Sequence, residues 1–554
     1  MSEPQTLPAL LADRARRLKG QAALVALPGI EGPEQVLTYD QIEADATALA
    51  AALQQRLPLG GRVLLVLPNE ADFVRLFWAC VLAGLVAVPV AVPRNARGLE
   101  RIDALARVAG AALVIHSDAF TFSLAKFRQT APLAAGAGEW VAARDVTPSG
   151  GFVTPDLSPN MTAVLQFTSG STGMQKGVMV RHRNILANAE CLTSVCGRGM
   201  GMRMVSWLPF FHDWGLIGCL VLPIFAEGTG WFFDPADFLR RPRRWIELIS
   251  EKQASLACAP DFAYRLATTV ADDGPQLDLS HWTMAMLGAE PIRAETLTAF
   301  ATAYAPHGFA PGALYPSYGL AENTLIATGG PPGVPFRQSP LGRQTFTNCG
   351  APLLGQRIAI VDPETGLQAD DGEVGELWIT GESVAAGYWA NPEATEATFH
   401  ARLPGDSARW LRTGDLAFLV GGDLHVCGRM KDVVIKAGEN HLAEDLERAM
   451  EAADPALRIG CGAAFGIEAA GAERMVLVQE VNYGPKPDLP RLIGAIQRAI
   501  SQSNGVMADA IAILPPGRLE KTSSGKIRRA HTRDLFVAGK LEPLLLWQGW
   551  QNDI

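Results

Sequence analysis

The segment most suited to chemistry is a run of hydroxyl side chains and glycines that closes on a single lysine, Lys176. An apolar stretch, residues 164–167, leads directly into it. Glycines let a backbone turn tightly and point its amide groups at an anion, while hydroxyl groups add donors and a lysine adds positive charge. A polyphosphate needs these groups. The sequence therefore predicts a phosphate-binding loop made of Thr168, Ser169, Gly170, Ser171, Thr172, Gly173 and Lys176.

Other phosphate loops of similar composition do not fit this spacing. The loop has no Gly-Lys-Ser/Thr triplet, which closes a Walker loop. The dinucleotide-binding fingerprint has a different glycine spacing and no lysine. A flexible Ser/Gly linker on the surface is the remaining alternative, but it does not account for an apolar strand leading into a loop with one cation.

Four more side chains are candidates because of their type and their neighbours. Glu322 and Asp415 are carboxylates near a glycine, and Lys526 follows Ser-Ser-Gly. His212 lies in an aromatic stretch, residues 207–218. Singly, each has an ordinary explanation: a solvated glutamate, a turn aspartate, a charged surface tail and a hydrogen-bonded structural histidine. These four residues become candidates for a functional site only if they form one pattern together with the phosphate loop.

Taken in order, these segments resemble the motifs of the adenylate-forming enzymes, the superfamily of acyl-CoA synthetases, peptide-synthetase adenylation domains and luciferases. The resemblance extends from about residue 37 to residue 529. Each motif is short, but five motifs in the right order are specific. Besides the phosphate loop, they are an adenine and magnesium motif at residues 318–322, a ribose motif at 412–415, an interdomain hinge at 428–432 and a catalytic-lysine loop at 523–526.

The resemblance implies a reaction in which a carboxylate attacks the α-phosphorus of ATP and pyrophosphate leaves. Both reactants are anions, so catalysis is mainly positioning and charge neutralisation. ATP and Mg²⁺ are the implied cofactors. The implied catalytic residues are Lys526 as the cation between carboxylate and α-phosphate, Glu322 as the magnesium ligand, and His212 near the substrate carboxylate.

The resemblance also implies the nucleotide site and the hinge. Asp415 would accept hydrogen bonds from the ribose hydroxyl groups. Lys431 would mark the pivot about which a small domain closes over the nucleotide. The other residues implied at the nucleotide are Gly288, Ala289, Glu290, Tyr318, Gly319 and Arg429.

Within the superfamily, the aromatic stretch at 207–218 is most similar to fatty acyl-AMP ligases, which load a fatty acid onto an acyl carrier protein. Residues 331–347 are shorter than the insertion that this branch carries. The acceptor therefore stays open between a separate acyl carrier protein and coenzyme A. A non-catalytic nucleotide-binding protein is a third possibility, but it would be expected to lack Lys526, Glu322 or Asp415, and all three are present.

The elements that must position these residues are typical of an α/β protein. Strands at 62–67, 86–90 and 112–115 alternate with helices at 70–82 and 102–108, which indicates parallel pairing. Beyond about residue 350, antiparallel strands joined by turns are expected. We predict a large N-terminal domain of packed sheets and helices with a β-rich subdomain, residues 1–428. A small mobile α+β C-terminal domain, residues 429–554, would carry Lys526.

Composition excludes some classes of partner. A net charge of −9 argues against a nucleic-acid-binding surface. The basic cluster at 240–244 is either a solvated helix start or a docking patch for an acidic partner. None of the eight cysteines has zinc-ligand spacing, and we expect no signal peptide and no membrane span. The protein is predicted to be soluble and cytoplasmic.

Overall fold

The computed structural model describes residues 4–29, 32–130, 138–168, 175–199, 201–342, 344–436, 439–469, 472–484, 487–522 and 525–550. Its α-helices are Leu7–Arg17, Tyr39–Gln54, Ala71–Leu82, Ala96–Ala109, Phe120–Thr130, His182–Cys196, Leu222–Phe225, Pro235–Arg240, Arg243–Glu251, Asp261–Thr268, Ala294–Tyr304, Pro392–Phe399, Ala443–Glu451, Leu489–Asn504 and Arg529–Val537. Shorter helical turns are Ala143–Asp145, Ala305–His307, Pro311–Ala313, Ala321–Asn323 and Met430–Asp432, and Trp214–Val221 is a π-helix. None of the described helices is long and apolar enough to cross a bilayer.

A six-stranded sheet carries the phosphate loop. Its strands, in spatial order, are Glu139–Ala142, Leu113–His116, Arg62–Val66, Val86–Pro89, Thr162–Thr168 and Lys176–Arg181. Pairing is parallel except between the last two strands, which are antiparallel. Val63, Leu64 and Leu65 are fully buried, as expected of a parallel strand covered on both faces. The strand and helix alternation predicted between residues 62 and 115 is confirmed.

A second, nine-stranded sheet lies at the centre of the large hydrophobic core. Its strands, in spatial order, are Ala351–Pro352, Ile326–Gly329, Leu314–Gly319, Met284–Leu287, Leu256–Ala259, Arg203–Ser206, Thr229–Phe232, Ala22–Ala26 and Gln35–Thr38. The middle of this sheet is parallel and its edges are antiparallel. Loops at the carboxyl ends of the parallel strands are therefore brought to one edge, where α/β proteins bind ligands.

A four-stranded antiparallel sheet carries the predicted ribose motif. Its strands are Gln356–Val361, Gly375–Gly381, Leu411–Val420 and Asp423–Arg429. The antiparallel strands expected beyond about residue 350 are confirmed, since Gln356–Val361 pairs with Gly375–Gly381. A hairpin, Gln338–Leu341 with Gln344–Thr347, occupies the region where the branch carries its insertion. Phe346 of this hairpin packs edge-on against Phe418, with ring centroids 5.7 Å apart.

The C-terminal part has its own sheet and its own hydrophobic cluster. The sheet contains Leu457–Ala469, Ala472–Val481, Ala510–Leu514 and Leu545–Gln548, and a separate hairpin pairs Val433–Lys436 with Glu439–Leu442. Leu446, Leu492 and Ile496, from two helices, are fully buried in this cluster. An independent core of this kind is what a separate domain requires. The boundary at residues 428–429 stays a prediction.

The basic cluster at residues 240–244 is part of the fold rather than an open positive patch. Arg243 is buried and donates to the backbone carbonyl groups of Val270 and Pro275, at 3.0 and 2.8 Å. Arg244 pairs with Glu251 at 2.5 Å. These guanidinium groups already have partners, so the geometry favours a structural helix start over a docking patch.

Candidate active site

The two ends of the predicted phosphate loop lie opposite each other. Thr168 and Lys176 are paired across the antiparallel strands that flank the loop. Ser169, Gly170, Ser171, Thr172 and Gly173 lie outside the described residues. On the preceding strand, buried Gln166 donates to the carbonyl oxygen of Phe211 at 2.7 Å and so joins this sheet to the aromatic stretch.

Glu322 lies on the helical turn Ala321–Asn323, beside the phosphate loop. Its Oε1 accepts a hydrogen bond from the Tyr388 hydroxyl at 2.8 Å. The ammonium group of Lys176 lies over the ring of the same tyrosine, 4.6 Å from the ring centroid. One aromatic side chain therefore contacts both the loop lysine and the predicted metal ligand. No motif in the sequence marks Tyr388.

The backbone directly after Glu322 is strained. Thr324 has φ 67° and ψ −54°, and the N–H of Leu325 donates to the carbonyl of Asn323 at 2.7 Å. This is a γ-turn of the rare, strained hand. The Thr324 hydroxyl holds the turn by donating to the carbonyl of Ser383 at 2.6 Å. Such strain persists where surrounding contacts over-determine a position, and it is concentrated at functional sites.

Asp415 is buried and has two charged or polar partners. Its Oδ2 accepts from the Tyr318 hydroxyl at 2.6 Å, and its Oδ1 lies 3.0 Å from Nε of Arg429. Asp415 and Arg429 face each other in register on neighbouring strands. Burial, and then the Asp415 charge, raises the pKa of Tyr318, so its hydroxyl remains a donor. The Asp415 carboxylate raises the pKa of Arg429.

The turn that presents Asp415 is fixed by a buried carboxylate, Glu376, which is 2% exposed. Its Oε2 accepts from Nε of Arg412 and from the indole N–H of Trp378, both at 2.9 Å. Its Oε1 accepts from the backbone N–H of Gly414 at 3.1 Å. Glu376 therefore orients the ribose motif from the neighbouring strand, and motif reading from sequence missed it.

The predicted adenine segment follows the strand Met284–Leu287 at its carboxyl end. Gly288 comes first, Ala289 adopts a left-handed conformation with φ 65°, and Glu290 accepts from the backbone N–H of Phe262 at 2.6 Å. Burial raises the pKa of Glu290. Gly319 has to be glycine, because a Cβ there would lie 1.9 Å from the carbonyl oxygen of Leu325. The structure places both segments at the same sheet edge as Asp415's partner Tyr318.

His212 is the half-buried member of a mostly structural aromatic stretch. Trp207, for example, stacks on Phe238 with ring centroids 4.0 Å apart. Nδ1 of His212 lies 2.5 Å from Oδ1 of Asp213. Burial by itself would raise the pKa of Asp213, but the neighbouring imidazole and the Lys526 ammonium group outweigh it, so the pKa is lowered. Asp213 therefore fixes the orientation of the His212 imidazole. In the sequence, only the position of Asp213 next to His212 points to this role.

Lys526 is presented by a tight hairpin of the C-terminal part. Its backbone N–H donates to the Thr522 hydroxyl at 3.0 Å, and its carbonyl accepts from the Thr522 N–H at 2.7 Å. Burial in the cleft and then Arg429 lower the pKa of Lys526, while Asp213, Asp415 and Glu290 act in the opposite direction. These charges belong to the N-terminal part, so the lysine faces the same cleft as the other candidates.

The predicted hinge is a single helical turn, Met430–Asp432, which follows the strand Asp423–Arg429. Burial and the nearby Arg429 lower the pKa of Lys431. Arg529, three residues after Lys526, pairs with Asp432 at 2.7 Å and with Glu447 at 2.6 Å. The loop that carries Lys526 is thereby tied to the C-terminal end of the hinge turn.

The fold is that of a known family. Residues 11–389 match the family described as AMP-binding enzyme. The chain belongs to this family of adenylate-forming ligases, which use ATP.

Individual relatives narrow the similarity further. The chain is 34% identical to a medium-chain-fatty-acid–acyl-carrier-protein ligase of Moorena producens, with 98% of this chain and 97% of the relative covered. It is also 34% identical to a putative fatty-acid–CoA ligase of Mycobacterium tuberculosis, with 96% and 97% covered. A solved structure of a fatty acid AMP ligase from Legionella pneumophila is 31% identical, with a TM-score of 0.75 and 99% of each chain covered. The predicted fold class and the resemblance to fatty acyl-AMP ligases are confirmed.

Proposed function

We propose that this protein activates a fatty acid as its acyl-AMP and transfers the acyl group to the phosphopantetheine thiol of a separate acyl carrier protein. The observation that carries this proposal is the single cleft in which the Lys526 ammonium group meets the charges of Asp213, Glu290, Asp415 and Arg429. A cation held between carboxylates of a second structural unit is suited to a reaction in which two anions must meet.

In the first step a carboxylate oxygen attacks the α-phosphorus of ATP, and the bond from that phosphorus to the β-bridging oxygen breaks. Lys526 would neutralise negative charge on the carboxylate and on the α-phosphate as they approach. Lys176 would neutralise the pyrophosphate as it leaves. Each is a positive charge fixed before the reaction, which is the main contribution that a protein makes to phosphoryl and nucleotidyl transfer.

The nucleotide would be oriented through its sugar and base. Asp415 has its carboxylate held between Tyr318 and Arg429, which fixes the direction of its oxygens, as a ribose acceptor requires. Gly288, Ala289, Glu290 and Gly319 would form the surface against which adenine lies. His212, with its Nδ1 held by Asp213, would direct Nε2 toward the substrate carboxylate.

The residues present fit one Mg²⁺ ion bound mainly through phosphates. Among the described residues, no group of three or more His, Cys, Asp or Glu could hold a metal by itself. Oε2 of Glu322 has no hydrogen-bond partner within the described ranges, while Oε1 is occupied by Tyr388. Mg²⁺ commonly uses one or two carboxylates together with substrate phosphates. When bound, it would supply neutralisation of phosphate charge, and Glu322 is the side chain that would hold it.

In the second step a thiolate attacks the acyl carbonyl, and the carbon–oxygen bond to AMP breaks. We propose that residues 429–554 form the small domain that turns about Lys431 between the two steps. The relative from Moorena producens is named for transfer to an acyl carrier protein, which supports that acceptor. The relative named as a putative CoA ligase keeps coenzyme A as the alternative. The cytoplasmic location stays a prediction.

The test is carboxylate-dependent exchange of labelled pyrophosphate into ATP, run with acids from acetate to long fatty chains. Acceptor is then added as a phosphopantetheinylated carrier protein or as coenzyme A, and thioester is detected by mass. We expect exchange with a fatty acid and thioester on the carrier protein. Acyl-CoA as the main product would assign the alternative, and absence of exchange with every acid would contradict acid activation.

A further inference from the structure

Tyr388 stands between the two opposite charges that would handle the phosphates of ATP. The face of its ring receives the Lys176 ammonium group, 4.6 Å from the centroid. Its hydroxyl, at the edge of the ring, donates to Oε1 of Glu322 at 2.8 Å. No ion pair within 4.0 Å joins Lys176 to Glu322 in the part of the chain that the structure describes.

The position of Tyr388 is imposed by backbone pairing and not by its side chain alone. The segment around it adds as an extra strand to Lys176–Arg181. The N–H of Trp389 donates to the carbonyl of Gly177 at 2.7 Å, and the N–H of Met179 donates to the carbonyl of Gly387 at 2.9 Å. This register places Tyr388 beside the residue that closes the phosphate loop.

Further contacts hold the ring from behind. Tyr388 is 6% exposed and packs edge-on against Phe399, with centroids 5.1 Å apart. Its backbone N–H donates to the Thr395 hydroxyl at 2.9 Å. Gly387 has φ 134°, and a Cβ there would lie 2.3 Å from the Thr395 methyl carbon, so only glycine allows this approach. The tyrosine is therefore a rigid part of the scaffold.

Without an object between them, a flexible lysine and a nearby carboxylate would move together and neutralise each other. Neither would then be free for a phosphate or a metal ion. An aromatic ring prevents this, because its face attracts a cation while a phenol at its edge donates to a carboxylate.

We propose that Tyr388 is a positioning residue that holds Lys176 and Glu322 apart, leaving the lysine for the β- and γ-phosphates and Oε2 of the glutamate for Mg²⁺. This inference rests on the proposed function, since it takes the roles of Lys176 and Glu322 from it. Tyr388 itself would contact neither a phosphate group nor the metal ion, so ligand contacts alone would not identify it.

The test uses three variants of the full chain. Tyr388→Phe removes the hydroxyl but keeps the ring, and Tyr388→Leu removes both. Tyr304→Phe is the matched control, because the Tyr304 hydroxyl is equally buried and donates to a backbone carbonyl, that of Ala267, at 2.8 Å. ATP binding is measured by calorimetry across a Mg²⁺ titration without any acid, and melting temperature and pyrophosphate exchange are measured in parallel.

We expect Tyr388→Phe to raise the Mg²⁺ concentration needed for half-maximal ATP affinity by about 5-fold, the effect of one lost hydrogen bond of ~1 kcal/mol. Its KM for the acid should not change. In Tyr388→Leu the lysine and glutamate are free to pair, so ATP affinity itself should fall by about 10-fold or more. Tyr304→Phe should leave both quantities as they are in the unchanged chain.

Two results would overturn the inference. One is a Tyr388→Phe protein with the Mg²⁺ dependence of the unchanged chain. The other is a loss of melting temperature and kcat in both Tyr388 variants with no shift in Mg²⁺ dependence, which would make the residue purely structural. The calorimetry contains no acid, so it tests Tyr388 independently of acid activation. A shifted Mg²⁺ dependence of ATP binding, together with no pyrophosphate exchange for any acid, would support the role of Tyr388 and contradict the proposed function.

Discussion

At the scale of single residues, the candidate site is organised around the ammonium group of Lys526. Burial lowers its pKa, and the negative charges of Asp213, Asp415 and Glu290 only partly restore it. One positive charge is therefore set among several fixed charges. A charge that is in place before the reaction can stabilise developing negative charge without reorganisation, which is the condition for electrostatic catalysis.

Replacement of Lys526 by alanine should abolish most adenylation while leaving ATP binding nearly intact. We expect pyrophosphate exchange to fall by about 10²–10³-fold, the usual effect of removing one fixed group that stabilises transition-state charge. ATP affinity measured by calorimetry should change by less than about 3-fold, since other groups hold the nucleotide. Lys540→Ala, an exposed lysine of the same part, is the control. Undiminished exchange in Lys526→Ala would remove the residue from the mechanism.

The lowered pKa of Lys526 predicts at which alkaline pH the rate of pyrophosphate exchange declines. The protonated lysine is the useful form, and it loses its proton as pH rises through its pKa. Because burial lowers that pKa, exchange should decline at a pH below the ordinary lysine value of about 10.4. Lys526→Arg should move the decline to higher pH or remove it, since arginine stays charged. A limb unchanged in Lys526→Arg would assign it to another group.

Residues differ in how far the sequence predicts them. Lys526, Glu322 and Asp415 each lie in a short motif, so type and order were enough to propose them. Tyr388 and Glu376 act through contacts with residues distant in the chain, and neither has a neighbouring pattern that marks it. Their function depends on strand register, which no local window contains.

At the scale of elements, strand pairing positions the ribose motif. Glu376 is the second residue of the strand Gly375–Gly381 and lies opposite Leu416, and from there its carboxylate reaches the turn that precedes Asp415. A buried carboxylate with a guanidinium, an indole and a backbone N–H as partners is fully satisfied. Removing it leaves those donors unpaired.

Glu376→Ala should therefore destabilise the chain and distort the ribose site together. We expect a loss of ~1–3 kcal/mol in the free energy of unfolding, because the buried indole N–H of Trp378 loses its acceptor. The KM for ATP should rise while the KM for the acid stays unchanged. Urea unfolding and steady-state exchange measure the two effects. Glu373→Ala, an exposed glutamate nearby, is the control, and an unaltered unfolding midpoint in Glu376→Ala would contradict the assignment.

Elements with local alternation were predictable, and those assembled over long separations were not. The strands and helices between residues 62 and 115 alternate along the chain, and their three strands pair within one sheet. The nine-stranded sheet, in contrast, places Ala22–Ala26 next to Thr229–Phe232. Its strands are four or five residues long where these two meet, too short for periodicity to distinguish them from buried helix. The π-helix Trp214–Val221 is a rare element with no recognised sequence pattern.

At the scale of the whole molecule, ion pairs join the N-terminal and C-terminal parts. Arg97 and Arg101 reach Glu520 at 3.3 and 3.8 Å, close in sequence to Lys526. On another side, Arg293 reaches Glu451 at 3.3 Å. The pairs of Arg97 and Arg101 with Glu520 are exposed and contribute little to stability, but they can bias the orientation of two units.

The double variant Arg97→Gln, Arg101→Gln should slow adenylation without unfolding the protein. We expect pyrophosphate exchange to fall by about 2–5-fold at low salt, because surface pairs are worth up to ~1 kcal/mol. The difference should disappear as salt rises from about 50 mM to about 500 mM, since salt screens exposed charges. Arg357→Gln, which breaks an exposed pair with Asp406 within the N-terminal part, is the control. A difference that persists at high salt would contradict this explanation.

The position of Asp415 has a consequence for the fate of the intermediate. Asp415 lies in the strand Leu411–Val420, before the hinge turn Met430–Asp432, and so belongs to the part that stays in place if residues 429–554 rotate. The ribose end of an acyl-adenylate would therefore stay bound, while the small domain presents a different surface to its acyl end in each step. A mixed anhydride released into water is hydrolysed and its energy is lost. Because the ribose would be held by a residue that precedes the hinge, the acyl-adenylate would stay bound through both steps. Little of it would then dissociate and be hydrolysed between them.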